Sequence, residues 1–331
     1  MKYLKHNFKL LTLLIFILLG CSSIYAQSNK FNSFLWEVSP KSDPSKVAYL
    51  LGSIHIATPD LYPLNPIIME CWNKSNTLVV EVNIMELDAS SLMESMSKFL
   101  FKVVSITGEK LSDKLPPDLY KKVKEKLLPS EVFADAGFPL TEEYIDMFTP
   151  LGIAALLQLK NLKKYLSLDK YEDVDGIDKY FLRLATENNI PIYEAESISF
   201  QLEMLFSMFE LLADDINSYL EAMLDSDEDT DEDTDIDIEF DKLLTAWKVG
   251  DDDTIDKMMN DNAMSNLNDE QYKAIMDALL YNRNINIAKK IEEYLTSDET
   301  YFIVIGAGHY VGKKSIIDIL QQTNKYNIKR L

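Results

Sequence analysis

Cysteine and basic residues are both scarce in this chain of 331 residues. Cys21 and Cys71 are the only cysteines, which is too few for a disulfide framework or for a zinc site built on cysteine. Cys71 falls in a predicted helix beside Trp72 and is expected to be a buried apolar residue. The 33 basic residues are outnumbered by 54 acidic ones, for a formal net charge of −21. Such a surface repels a phosphate backbone, so no nucleic acid partner is expected.

Long apolar runs are absent after residue 19, so no later segment is expected to cross a membrane. The run over residues 10–19 follows three lysines and has the length of a signal-peptide core. The signal peptide has two possible ends. It can end at residue 20, where Leu18-Leu19-Gly20-Cys21 resembles a lipobox and Cys21 would be lipidated, or at residue 26. We therefore expect an exported protein of the cell envelope, either anchored to a membrane through a lipid on Cys21 or periplasmic.

Histidine is the third scarce residue, with three in the chain. His6 lies in the predicted signal peptide, which leaves His55 and His309. Each of these ends a Gly-x-x-His motif that follows an apolar, strand-like run: Gly52-Ser53-Ile54-His55 and Gly306-Ala307-Gly308-His309. Glycine at a strand exit lets the backbone turn sharply or approach a ligand closely. The second motif does not continue into a dinucleotide-binding loop, because Val311 stands where the third glycine belongs.

Short strand-like runs alternate with longer helical segments. Strands are predicted over 34–38, 47–51, 78–82, 190–194, 301–305 and 326–331, the first two forming a hairpin. Helical periodicity dominates residues 88–165 and much of the remaining chain. This order predicts a helix-rich α/β (α+β-like) fold, with a mixed central sheet covered by helices on both faces in one domain over residues 27–331.

Residues 225–239 stand apart because they carry ten acidic residues and no basic one. Such a block repels itself, so we predict a flexible acidic insertion. Specific calcium binding is not expected, because no frame supplies both the central glycine and the bidentate glutamate of an EF-hand.

The two histidines and one glutamate form the candidate site. Ligands gather at the carboxyl ends of strands in α/β sheets, so neighbouring strands would bring His55 and His309 into one pocket. Glu81 is the candidate third group, because a lone acid in so apolar a strand must be compensated. Two imidazoles and a carboxylate suit Mn, Fe, Co or Zn, and such an ion supports hydrolysis. Each feature also has a structural interpretation: a histidine after a strand is often only hydrogen bonded, and Glu81 could simply pair with Arg283.

Together these motifs resemble the TraB/GumN family, which is related to the animal Tiki metalloproteases. The family implies a fold similar to that of the haem-uptake ChaN and erythromycin-esterase group. The sequence departs from the common pattern by the insertion at 225–239 and by Asn83, where an acid often follows the strand glutamate. The resemblance covers most of the mature chain and is carried by the order and spacing of residues 49–55, 79–82, Gly176-Ile177-Asp178, Glu196 to Gln201, Trp247-Lys248-Val249-Gly250-Asp251, Arg283-Asn284 and residues 306–312.

The resemblance also implies a chemistry. In Tiki-like members, metal-dependent peptide cleavage favours Mn or Co and relies on two motif histidines and an early glutamate, which correspond to His55, His309 and Glu81. We therefore expect an exported metal-dependent hydrolase of peptides or proteins. Arg283 would stabilise charge on the substrate, and Glu81 or a metal-bound hydroxide would be the base. Supporting positions are expected at Gly52, Gly306, Gly308, Glu196, Gln201 and Asn284.

Two alternatives stay open at this point. The same cleft could bind a peptide or small ligand without turnover, in which case saturable binding would leave the peptide intact. Hydrolysis could also proceed without a metal, with a histidine as the general base, and would then survive chelation.

Overall fold

A computed structural model describes residues 33–331 apart from 56, 58, 87–88, 130–139, 167–173, 213–215, 226–231 and 261–268. The predicted signal peptide and Cys21 therefore lie outside the described residues, as does the middle of the acidic segment. In the part of the chain that is described, no helix is long and apolar enough to cross a membrane.

Six strands form one mixed sheet with the order β4-β3-β5-β2-β1-β6. Neighbouring strands from β4 to β2 are parallel, whereas β1 is antiparallel to both β2 and β6. The predicted mixed sheet is thus confirmed. The strands are Leu35–Pro40 (β1), Ala48–Ser53 (β2), Thr77–Val80 (β3), Ile192–Glu194 (β4), Tyr301–Gly306 (β5) and Tyr326–Arg330 (β6).

Helices cover both faces of the sheet. Every residue of β2, β3 and β5 is buried, and successive side chains of a strand point to opposite faces, so both faces must be covered. The α-helices are Pro66–Lys74 (α1), Ala89–Val103 (α2), Leu111–Lys114 (α3), Pro117–Leu127 (α4), Glu142–Asp146 (α5), Pro150–Leu166 (α6), Ile177–Glu187 (α7), Ile198–Leu212 (α8), Ile216–Asp225 (α9), Glu232–Val249 (α10), Asp252–Asn260 (α11), Asp269–Met276 (α12), Asn282–Tyr294 (α13) and Ile316–Gln322 (α14).

Helix α1 illustrates how local sequence sets an element of the core. Its first turn combines Pro66, which has no N–H to satisfy, with a side-chain cap from Asn65 to the Ile67 amide. Its buried face carries Cys71 and Trp72. Burial raises the pKa of the Cys71 thiol to about 11, which agrees with the prediction of an apolar role and excludes a reactive thiolate.

The described residues form two hydrophobic clusters. The sheet cluster surrounds the strands and includes the apolar faces of α1, α7 and α10–α14. The helical cluster lies among α3–α6 and α9, away from the strands. The helical character predicted for residues 88–165 thus agrees with the helices found there, and most of them serve the second cluster.

The acidic segment differs from its prediction. Residues 232–239 are not a loop but the first two turns of α10, and residue 225 ends α9. Residues 226–231 lie outside the described part. The physical reason is that acidic residues in a first helical turn interact favourably with the partial positive charge of the helix N-terminus, which offsets part of their mutual repulsion.

Candidate functional site

Strands β2 and β5 lie side by side and bring the two Gly-x-x-His motifs to one edge of the sheet. They pair in parallel, with Gly52 opposite Ile305 and Ser53 opposite Gly306. Both histidines therefore follow their strands at the same level, as the sequence predicted. Strand β3 flanks β5 on its other side, and Glu81 directly follows the end of β3.

His309 is held by the side chain of Asn284. The amide nitrogen of Asn284 donates to the Lys314 carbonyl at 2.9 Å, which turns its oxygen toward Nδ1 of His309, 2.5 Å away. Nδ1 must therefore carry the hydrogen, and Nε2 is left with a lone pair. Burial and the nearby Arg283 lower the pKa of His309 to about 3, so the ring is neutral.

His55 is held by Asp178 at the start of α7. Nδ1 of His55 lies 2.6 Å from Oδ2 of Asp178, and the other carboxylate oxygen accepts a hydrogen bond from Ser53 at 2.8 Å. Burial alone would lower the pKa of His55, but the Asp178 carboxylate outweighs it and raises the pKa above the ordinary value. Nε2 of this ring is again the nitrogen that faces away from its holding partner.

A close backbone contact sets the position of Asp178. The amide of Ile177 donates to the Ile54 carbonyl at 3.1 Å, so α7 begins against the loop that carries His55. A Cβ on Gly176 would lie 2.2 Å from the His55 carbonyl oxygen. Only glycine fits at this approach, and the contact places the first turn of α7 beside the imidazole.

Glu81 is a buried carboxylate with both oxygens engaged. Oε1 accepts the Gly306 amide at 2.7 Å, and Oε2 accepts Arg283 at 2.7 Å and Gln201 at 3.1 Å. Burial would raise the pKa of Glu81, but Arg283 and the neighbouring histidines lower it to about 2. Oε1 also lies 3.8 Å from Nε2 of His309. The carboxylate and the imidazole are therefore neighbours, at a distance too long for a hydrogen bond.

Arg283 joins Glu81 to a second buried carboxylate. It donates to Glu196 from Nε at 2.8 Å and from Nη2 at 2.7 Å, and Nη1 donates to the Leu279 carbonyl. Gln201 bridges the two glutamates. Glu196 and Gln201, two of the predicted supporting residues, thus lie around Glu81 and Arg283. Arg283 itself is buried and its guanidinium is directed at the carboxylates, so its contacts assign it to holding Glu81.

The predicted glycines lie where side chains would interfere. A Cβ on Gly306 would come 3.2 Å from the Glu81 carboxylate, and one on Gly308 would come 3.3 Å from Met259. A Cβ on Gly52 would come 3.2 Å from Cα of Ala307. The Gly52 carbonyl accepts the Trp247 indole N–H at 2.8 Å.

Two residues of the site were not predicted as such. Asp178 had a visible signal, because Gly176-Ile177-Asp178 opens a helix, but its pairing with His55 joins residues 123 positions apart. Tyr310 had no signal in the sequence, although it is buried directly after His309.

The side chains of the site offer nitrogen and oxygen donors to a metal ion. Among the described residues, no three histidine, cysteine or acidic side chains gather closely enough to hold an ion. The donor chemistry nevertheless fits, because each histidine commits Nδ1 to a fixed oxygen acceptor and turns Nε2 away from it. This is the arrangement by which proteins orient metal-binding histidines. The residues therefore suit a divalent ion in kind, with Glu81 as the carboxylate beside His309.

Comparison with known proteins identifies the family. The model of the TraB/PrgY/gumN family matches residues 34–330. The chain belongs to the TraB/PrgY/gumN family. This family member is also 25% identical to Metalloprotease TIKI1 of Danio rerio, over 92% of this chain and 64% of the relative. It is 22% identical to Metalloprotease TIKI2 of Xenopus tropicalis, over 90% of this chain and 60% of the relative.

A Metalloprotease TIKI homolog of Nematostella vectensis is 24% identical over 95% of this family member and 70% of the relative. The chain thus spans less than two thirds of the length of the fish and frog relatives. No solved structure matches it significantly.

Proposed function

We propose that this TraB/PrgY/gumN family member is a metal-dependent hydrolase of peptides, in which His55, Glu81 and His309 hold a divalent ion. One observation carries the proposal: Nδ1 of each histidine lies against a side-chain oxygen, 2.6 Å from Oδ2 of Asp178 for His55 and 2.5 Å from Oδ1 of Asn284 for His309. The names of the relatives, which are metalloproteases, support the same reaction class.

The protein side chains prepare the site for this chemistry. A divalent ion bound here would polarise a peptide carbonyl and lower the pKa of water, whether it is Mn, Co, Zn or Fe. Asp178 and Asn284 fix which nitrogen of each imidazole is free. Arg283 and the Gly306 amide keep Glu81 ionised. A carboxyl whose pKa is about 2 is a weak base, so Glu81 suits the role of ligand better than that of general base.

The first experiment measures metal content. The protein from residue 27 onward would be purified, and bound metal quantified by mass spectrometry in the wild type and in His55→Ala, Glu81→Gln and His309→Ala. We expect about one ion per wild-type chain and a large loss in each variant. Glu194→Gln is the matched control, because Glu194 lies on β4 and its side chain accepts a hydrogen bond from the Asn83 amide, away from both histidines. Equal, substoichiometric metal in all five proteins would exclude the site.

The second experiment measures turnover. A peptide panel would be incubated with the wild type loaded with Mn²⁺ or Co²⁺, before and after treatment with a chelator. Cleavage that chelation abolishes and added metal restores is the expected result. Saturable binding with every peptide intact would instead identify a binding protein.

A second candidate function has its own support in the His55–Asp178 pair. An imidazole whose Nδ1–H is held by a buried carboxylate can take a proton at Nε2, as a general base does. Hydrolysis that persists after complete chelation, and that Asp178→Asn abolishes, would favour this metal-free mechanism.

We further propose that the protein is exported to the cell envelope, on the support of the sequence before residue 27. Cell fractionation of the wild type and of Cys21→Ser distinguishes the two predicted ends. Release of the variant from the membrane fraction supports lipidation of Cys21, and an unchanged soluble distribution supports cleavage at residue 26.

A further inference from the structure

The hydroxyl of Tyr310 is a buried polar group without a hydrogen-bond partner in the described chain. The residue is 3% exposed, and its Oη makes no hydrogen bond to any described atom. Leaving a buried hydroxyl unpaired costs free energy, on the order of 1–3 kcal/mol. A native fold retains few such groups, and each calls for an explanation.

Tyr310 is held in the site by both its backbone and its ring. It directly follows His309, and its amide closes the short helical turn by donating to the Ala307 carbonyl at 3.0 Å. The ring packs on Trp36 of β1 with 5.2 Å between centroids. The position of the phenol is therefore fixed by elements of the sheet.

The phenol of Tyr310 lies within electrostatic reach of two carboxylates of the site. The carboxylates of Glu81 and Asp178, one beside each histidine, both act on the phenol electrostatically. A phenol carries its hydrogen at neutral pH, and no described atom of the protein accepts this hydrogen.

We propose that Tyr310 is a catalytic residue, whose O–H donates a hydrogen bond to the oxygen of the substrate carbonyl under attack. The proposal rests on the proposed hydrolase function and deepens it. When water adds to the carbonyl carbon, a C–O bond forms and the π electron pair of the C=O bond moves onto the carbonyl oxygen. The water proton leaves to the base, and the new negative charge remains on that oxygen. A fixed neutral donor stabilises this charge.

The energetics favour such a role. A donor aimed in advance at developing charge, in a site from which water is excluded, needs no reorganisation during the reaction. The unpaired state of Oη in the described fold means that no existing hydrogen bond must be broken first. Glu81, His309 and Tyr310 are all buried, and Tyr310 directly follows His309 in the chain.

The test compares Tyr310→Phe with a matched control, Tyr301→Phe. Tyr301 is also buried, but its hydroxyl lies 3.0 Å from the hydroxyl of Ser297. Both changes keep the ring and its packing. For Tyr310→Phe we expect kcat to fall roughly 100-fold with KM and metal content unchanged, in line with removal of one such donor, and the melting temperature to stay equal or rise. For Tyr301→Phe we expect a lower melting temperature and unchanged kcat.

Three results would overturn the assignment. The first is a wild type that hydrolyses a peptide and a Tyr310→Phe variant whose kcat is within about twofold of the wild-type value. This result would exclude the catalytic role of Tyr310 and leave the proposed hydrolase function standing. The second is a melting temperature that falls for Tyr310→Phe as it does for Tyr301→Phe, which reveals a structural partner for the hydroxyl. The third is a wild type that cleaves no peptide with any of the metals, which defeats the proposed function and this assignment with it.

Discussion

Glu81 keeps a negative charge inside an apolar sheet because each of its oxygens has a donor. The Gly306 amide serves one oxygen, and Arg283 and Gln201 serve the other. Arg283 is in turn neutralised by Glu196. The group of residues therefore behaves as one unit, in which removal of a single member leaves a buried charge unpaired.

The lowered pKa of Glu81 predicts a dependence of stability on pH in the metal-free protein. Its pKa falls from 4.5 to about 2 on folding. Because the folded pKa is depressed, the stabilisation is complete above about pH 4.5 and is lost as the pH falls toward 2. Relative to Glu81→Gln, the wild type should lose about 1 kcal/mol between pH 4.5 and 3.5. Urea unfolding of both proteins in chelator, at those two pH values, measures the difference. A difference that does not change with pH would contradict the paired carboxylate.

At the level of single residues, the sequence predicted where some residues of the site lie but not which distant residues they contact. The positions of His55, Glu81 and His309 at one edge of the sheet could be predicted, because each follows a strand and the direction of a chain leaving a parallel sheet is constrained. Asp178 and Tyr310 could not, because their roles depend on distances across the fold. The contact of Asp178 with His55 depends on how α7 packs on a loop. The Tyr310 hydroxyl is unpaired because no described donor or acceptor lies within hydrogen-bond distance of it.

Among the elements, the turn before α13 positions two side chains of the site. Residues Asp277–Tyr281 form a π-helical turn, in which the Asn282 amide donates to the Asp277 carbonyl. The Leu279 carbonyl in this wide turn accepts the guanidinium of Arg283. The two consecutive residues Arg283 and Asn284 then hold Glu81 and His309 respectively. Such turns are frequent at functional sites.

The start of α7 gives a prediction at the same scale. Gly176→Ala would place a methyl 2.2 Å from the His55 carbonyl oxygen, so α7 or the His55 loop must move and Asp178 must leave its partner. We expect a lower melting temperature and at least a tenfold loss of metal affinity, the scale of losing a histidine's holding partner. Metal titration by calorimetry measures the affinity.

Gly108→Ala is the matched control for this prediction. Gly108 has a φ of +75° and open space around it, so alanine there should cost about 1 kcal/mol through backbone strain alone. Its metal affinity should equal that of the wild type. Equal affinities in Gly176→Ala and Gly108→Ala would show that the α7 contact does not position His55.

The prediction of a loop over residues 225–239 was wrong where α10 begins, because tertiary contacts were not visible in the local sequence. Charge repulsion within residues 225–239 favoured a loop, and that argument is sound for an isolated segment. Residues 232–239 instead continue into Trp247, whose indole binds the Gly52 carbonyl in the core. Tertiary packing of the apolar end of a helix thus outweighs the local preference of its acidic beginning.

Across the whole molecule, the site belongs to one of the two hydrophobic clusters. Its residues lie on or beside β2, β3, β5, α7, α8 and α13, which all pack around the sheet cluster. Helices α3–α6, which form most of the helical cluster, contribute none of the site side chains described here. The side chains of the site are therefore held by the sheet cluster.

This division predicts where a metal protects the protein. Binding to the folded site stabilises it by about 2.7 kcal/mol at a free metal concentration 100-fold above Kd. Backbone amides that exchange through openings of the sheet cluster should therefore exchange about 100-fold more slowly with Mn²⁺ or Co²⁺. Amides of α4 and α6 should exchange at unchanged rates, because the helical cluster can open without disturbing a ligand. Hydrogen exchange measured by mass spectrometry resolves the two sets. His55→Ala should show no metal effect, and equal slowing of α4 and α6 in the wild type would mean that both clusters unfold as one unit.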